Sequence, residues 1–181
     1  TIFGASGDLA KLKLFPALYN LMEQKKLPEQ FYIVGFARSE KSNKEFQKEF
    51  SESISTKFGK DTNKKLLEKL TSKVSYFHGS YDERSSFQKY RKYLSELTKN
   101  HKIAHIAYLS IPPQVFKPVI ENLGETKTAH EDMRIVIEKP FGEDTASATE
   151  LFHFLARYFD EDHIYLLDHY LGKTAVQSIL H

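Results

Sequence analysis

The sequence predicts a doubly wound α/β domain with a mostly parallel sheet. Three observations predict it. Short strand-like runs alternate with amphipathic helical patterns over the whole length. The strand runs are apolar and rich in Ile, Val, Tyr and Phe, as strands covered on both faces should be. A glycine-containing turn follows the first of them, ahead of a helical pattern.

The first strand candidate is Thr1–Phe3, and Leu9, Leu12, Phe15, Tyr19 and Met22 form the helical pattern behind it. Pro16 falls inside that pattern, where an interior proline costs about 3 kcal/mol, so a kink or restart is expected. Phe31–Phe36 is the second strand. The more polar stretch Ser39–Lys73 reads as two helices, with Phe46, Phe50, Ile54 and Phe58 inward on one and Leu66, Leu67 and Leu70 on the other. Gly59 and Asp61 supply the stop and the new start. Val74–His78 is the third strand, and Phe87, Tyr90, Leu94 and Leu97 recur at helical spacing after it. Ile103–Leu109, Arg134–Glu138 and Ile164–Leu167 complete the strands. Between the last two, Ala148, Leu151, Phe152, Leu155 and Phe159 mark a helix that Asp144 is placed to cap.

Composition narrows the function classes. The chain has 181 residues, 40% hydrophobic, which suffices for about one domain with a sizeable core. No apolar run approaches the ~20 residues of a membrane-spanning helix, so no membrane partner is expected. Cysteine is absent, which removes disulfides, zinc–thiolate sites and cysteine nucleophiles and fits a cytoplasmic location. With 26 basic and 24 acidic residues, charge is too balanced to argue for nucleic acid. The chain opens within a strand, not on Met, and closes within a helical pattern at Ile179-Leu180-His181. Both ends read as cut, and a fragment is expected.

Four stations carry chemistry. Gly4-Ala5-Ser6-Gly7-Asp8-Leu9-Ala10 follows a strand and opens a helix, the context of a Rossmann-like dinucleotide fingerprint, with G-x-x-G-x-x-A spacing. Glycine permits a tight turn and lets backbone amides approach a pyrophosphate. A plain strand-to-helix turn without ligand also fits that spacing. At the end of the second strand stand Arg38 and Ser39, with no carboxylate before Glu40. A carboxylate there would take the ribose hydroxyls of NAD, whereas arginine accommodates the 2′-phosphate of NADP, with Ser6 and Ser39 as further hydroxyl donors. NADP is therefore the expected cofactor.

The later strand ends follow the rule that ligands bind outside the carboxyl ends of parallel strands. Ser110-Ile111-Pro112-Pro113 is a stiff turn whose backbone either flanks a cofactor or simply joins strand to helix. Glu138-Lys139-Pro140-Phe141-Gly142 places a lysine where substrate hydroxyls and cofactor would both be in reach, next to a candidate cis peptide; a solvated turn is the alternative. Asp168-His169-Tyr170-Leu171-Gly172-Lys173 offers His169, Tyr170 and Lys173 to a phosphate dianion and Asp168 as partner of a histidine base; a structural Asp–His pair is the alternative. His101 and His105 lie four apart without a clustered carboxylate, and no metal site is expected. Ser110 lacks a nucleophile-elbow context.

Together the four stations resemble the glucose-6-phosphate dehydrogenase family, in order and spacing, over essentially the whole chain and only over that family's N-terminal coenzyme domain. The resemblance implies oxidation of glucose 6-phosphate to 6-phosphogluconolactone in the pentose phosphate pathway, with hydride passing from the anomeric carbon to NADP. It implies that Gly4, Ala5, Ser6, Gly7, Asp8 and Leu9 form the coenzyme loop and that Arg38 takes the 2′-phosphate. Lys139 would touch substrate and coenzyme, with Pro140 in a cis-proline position. His169, Tyr170 and Lys173 would hold the sugar phosphate, and Asp168 would partner the catalytic histidine. In the family that histidine lies in a further β+α domain, which also carries the main oligomer interface, so a homo-oligomeric parent is expected and an inactive isolated fragment. Leu166-Leu167 and Thr174 stand where the family usually has Arg-Ile and Glu. Another NADP-linked sugar-phosphate dehydrogenase, or a noncatalytic dinucleotide-binding module, are the other readings.

Overall fold

The computed structural model describes residues 1–99, 103–126, 128, 133–142 and 144–167. The chain divides into two compact units, Thr1–Ser80 and Tyr81–His181.

In the first unit the strands β1 (Ile2–Phe3), β2 (Ile33–Ala37) and β3 (Val74–His78) lie in the order β3-β2-β1, all parallel. The helices are α1 (Phe15–Glu23), α2 (Asn43–Phe58) and α3 (Lys64–Thr71). Every residue of β2 is buried, as a central parallel strand requires. Phe46, Phe50 and Ile54 point inward from α2, as their spacing predicts, and Phe58 is half-buried. The Phe15 ring meets Phe50 at 4.7 Å and Phe46 edge-on at 5.8 Å. These contacts clamp α1 to α2 beneath the turn after β1.

The second unit holds β4 (His105–Leu109), β5 (Met133–Glu138) and β6 (Ile164–Leu167), also parallel, in the order β4-β5-β6. Its helices are α4 (Arg84–Leu97), α5 (Phe116–Glu125) and α6 (Thr145–Leu155). Asp144 caps α6 as expected, its Oδ1 accepting from the Ser147 amide at 2.8 Å while the Ser147 hydroxyl answers the Asp144 amide. That bonding holds the Asp144 carboxyl below the usual carboxylate range.

Several expectations shift. β2 begins at Ile33 rather than Phe31 because its ladder starts opposite Val74, and it runs on through Ala37. β4 begins at His105 rather than Ile103, where pairing with Met133 starts. The restart at Pro16 takes a particular form. Ala10–Leu14 is a wide π-helical turn closed by the Phe15 amide on the Ala10 carbonyl, and α1 begins right behind it. Pro16 thereby falls in the first turn of α1, where a missing amide leaves no bond unmade. The start of α3 is capped by Asn63, which accepts from the Leu66 amide at 3.2 Å, rather than by Asp61. Asp61 is used up in a 3₁₀ turn after Gly59, whose φ of +56° ends α2. Phe159 is buried beyond the end of α6 rather than on it. The expectation that all strands are covered on both faces fails in the second unit. Ile106 is 50% exposed, and Tyr165, Leu166 and Leu167 of β6 lie open among the described residues.

Candidate functional site

β1 ends at Phe3, and Gly4 turns the chain with a φ of +85°, a conformation that strongly favours glycine. The Gly4 and Ala5 amides donate to the Phe36 carbonyl at 2.9 and 3.4 Å, and the Gly7 amide donates to the Gly4 carbonyl at 2.9 Å. The loop is therefore folded back onto the carboxyl half of β2. A Cβ on Gly7 would stand 3.2 Å from the Gly4 carbonyl oxygen, so a side chain there would press on the turn. Ala5 is fully buried, Ser6 and Leu9 are half-buried, and Asp8 is exposed where the helical backbone begins. First-turn amides have no intrahelical acceptor and carry partial positive charge. A loop free of side chains at two turning points, backed by such amides, fits the pyrophosphate of a dinucleotide.

At the end of β2, Arg38 and Ser39 are both exposed. The Ser39 carbonyl accepts the Tyr76 hydroxyl at 2.5 Å, and the Asn43 side-chain oxygen accepts the Tyr76 amide at 2.7 Å. Ser42 caps α2 in a reciprocal pair with Glu45. Glu49 bridges Lys41, at 2.5 Å, and Lys11, at 3.2 Å. Partial burial raises the Glu49 carboxyl, but the two ammonium groups outweigh it and hold it below its ordinary value.

In the second unit the ends of β4 and β5 run into the prolines that the sequence places there. Ser110 is buried, and its hydroxyl finds no hydrogen-bond partner among the described residues. Pro112 is extended and leads into a 3₁₀ turn, Pro113–Val115. At the end of β5, Lys139 and Pro140 are exposed and joined by a cis peptide bond. The Lys139 amide donates to the Leu167 carbonyl of β6 at 3.2 Å. Glu138 beside it is only 7% exposed, and the Tyr108 hydroxyl donates to its carboxylate. The register explains the meeting: Tyr108 pairs with Val136, two residues before Glu138 on the same face of β5.

Burial and this bond to a carboxylate push the Tyr108 phenol far above its ordinary value of 10. The unfolded chain would lose that proton near pH 10 while the folded chain keeps it. Stability contributed by the phenol is thus complete below pH 10 and falls as pH rises further. Tyr108→Phe is expected to flatten the alkaline fall in melting temperature of the full-length protein between about pH 9 and 11. An unchanged alkaline slope in that variant would show that Tyr108 does not contribute.

Asp168, His169, Tyr170, Lys173 and His101 lie outside the described residues. His105 is buried against the Tyr90 hydroxyl, with 3.4 Å between Nε2 and Oη. The sequence pattern did not reveal Tyr76, Glu49 or Tyr108, whose roles depend on contacts between distant segments. Nor did it single out Asp160, Asp162 and His163, which come together at a 3₁₀ turn before β6 and are half-buried or exposed. Among the described residues no helix is long and apolar enough to cross a membrane.

Residues 1–178 match the family model described as glucose-6-phosphate dehydrogenase, NAD binding domain. Glucose-6-phosphate 1-dehydrogenase of Schizosaccharomyces pombe is 41% identical over 182 residues, covering 99% of this chain and 36% of that protein. Mouse glucose-6-phosphate 1-dehydrogenase 2 is 37% identical, covering 99% and 34%. The chloroplastic enzyme of Nicotiana tabacum is also 37% identical, covering 99% and 30%. The chain thus spans about a third of the length of these relatives. A solved glucose-6-phosphate dehydrogenase in complex with its substrate glucose 6-phosphate superposes with a TM-score of 0.87 at 37% identity, over 99% of this chain and 38% of that one. The Mycobacterium avium enzyme gives 0.81 at 31% identity, over 94% and 35%. The shared fold is the doubly wound parallel α/β fold expected from the sequence.

Proposed function

The chain belongs to the glucose-6-phosphate dehydrogenase family, and on that premise we propose that the full-length protein oxidises glucose 6-phosphate with NADP, these residues forming its coenzyme part. The end of β2 supports it most directly. The strand hands on to an exposed Arg38 and Ser39 with no carboxylate between. A guanidinium suits a 2′-phosphate, with which it can form two parallel charged hydrogen bonds, whereas NAD calls for an acidic group on its ribose.

Gly4, Ala5, Ser6, Gly7, Asp8 and Leu9 hold the pyrophosphate, and Pro112 and Pro140 border the coenzyme with stiff backbone. When bound, NADP supplies the hydride acceptor for the anomeric carbon. Lys139 donates to a sugar hydroxyl and to the coenzyme, holding the two in register. His169, Tyr170 and Lys173 neutralise and orient the sugar phosphate. Asp168 orients a histidine that removes the anomeric hydroxyl proton, and that histidine belongs to the further length of the protein. A homo-oligomeric assembly and a cytoplasmic location complete the proposal.

The test is NADPH formation by the purified full-length protein supplied with glucose 6-phosphate and NADP. Turnover with that sugar phosphate, and slower turnover with NAD, is expected. NADP binding without turnover of any sugar phosphate would instead identify a noncatalytic binding module. Turnover of only another phosphorylated sugar would identify a sibling dehydrogenase.

A further inference from the structure

We propose that Tyr76 is a positioning residue that sets the preference for NADP over NAD by fixing the segment that presents Arg38, an inference that rests on the coenzyme reading above. Arg38 lies between two carbonyls that β3 and its following turn hold in place. On one side the Ala37 carbonyl accepts the Gly79 amide at 3.1 Å. On the other the Ser39 carbonyl accepts the Tyr76 hydroxyl at 2.5 Å. A polar, exposed connection after a strand is ordinarily among the more mobile parts of a fold. Here it is bracketed at the residue that matters.

Tyr76 is well placed to act as the fixed end of that bracket. It is 6% exposed on β3, in register with Gly35 of β2, and its ring lies 4.8 Å from that of Phe46. Its own amide is held by Asn43 at the start of α2. Further along, Lys41 is tied to Glu49 and Ser42 to Glu45, so the whole segment from Ser39 to Asn43 is anchored. Two parallel hydrogen bonds from a guanidinium to a phosphate demand a position good to about half an ångström. NAD lacks the 2′-phosphate and makes no such demand. Loosening Ser39 should therefore weaken NADP and leave NAD nearly untouched.

The experiment measures dissociation constants for NADP and NAD on the full-length protein and on its variants. Tyr76→Phe keeps the ring and its packing but removes the hydroxyl. It is expected to weaken NADP about 5–10-fold, the value of one hydrogen bond, and NAD by less than about twofold. Asn43→Ala, which releases the Tyr76 amide, is expected to shift the NADP/NAD ratio in the same direction and provides a second route should Tyr76→Phe fold poorly. In an Arg38→Gln background, Tyr76→Phe should change neither constant further, because the residue acts through Arg38. Equal weakening of both coenzymes, or a selective effect that survives without Arg38, would overturn the role of Tyr76 alone. A wild-type NADP/NAD ratio in Arg38→Gln itself would overturn the coenzyme reading, and Tyr76 with it.

Discussion

Replacing Gly35 by alanine is expected to destabilise the full-length protein by about 3 kcal/mol, the upper range for overpacking a core. A Cβ there would lie 2.4 Å from the Phe46 Cζ and 2.9 Å from the Ala5 Cβ. Neither neighbour can yield cheaply. Phe46 is fully buried between Phe15 and Tyr76, and Ala5 belongs to the turn hung on the Phe36 carbonyl. The strain would reach the proposed coenzyme loop through Ala5, so on that reading NADP and NAD should both bind more weakly. Melting curves with and without coenzyme would measure the two effects together. Pairing Gly35→Ala with Phe46→Leu should recover part of the loss by clearing the ring. A single alanine variant as stable as the parent would mean the strand can shift where the packing says it cannot.

On the role proposed for Lys139, Lys139→Gln is expected to lower kcat/KM for glucose 6-phosphate in the full-length protein by about 10²–10³-fold, the usual cost of removing one donor at a reacting centre. The melting temperature should barely move, because the side chain is exposed and its backbone keeps the bond to Leu167. Lys139→Arg should recover little, since a planar fork does not reproduce a compact ammonium. The result turns on how tightly the residue is delivered. Its amide is fixed to β6, and the preceding Glu138 is buried with the Tyr108 hydroxyl on its carboxylate. Near-parental turnover of glucose 6-phosphate by Lys139→Gln would remove Lys139 from the chemistry.

Much of this was legible in the sequence, for identifiable reasons. The inward faces of α2 and α3 follow from the helical spacing of Phe46, Phe50, Ile54, Leu67 and Leu70. Asp144 was legible as a cap because capping is a local event with its own residue preference. The glycine turn was legible because a backbone at positive φ leaves a compositional mark. Strand limits were less so, since the first residue of β2 is decided by where Val74 stands on β3. What anchors the site was least visible. Tyr76 reaching Ser39 and Tyr108 reaching Glu138 join residues 37 and 30 positions apart, and nothing local distinguishes these tyrosines from the others. The exposure of β6 among the described residues is invisible for a related reason: an apolar strand does not record whether anything lies against it.

The wide turn ahead of Pro16 bears on how the chain can change length. Its closing bond runs from Phe15 to Ala10, one residue further back than in an α-helix, so the turn contains one residue more than it needs. The extra residue is absorbed within the turn and is not passed on to the rest of the helix. Deleting the exposed Lys13 together with Pro16→Ala should close an ordinary helix, with Phe15 and Tyr19 still directed at the core. A single deletion inside α2 would instead rotate everything beyond it by about 100° and carry Phe50 and Ile54 out of the core. A deletion scan of the full-length protein, scored by soluble yield, should find the first change tolerated and the second not. Equal intolerance would mean that the extra residue serves the fold in its own right.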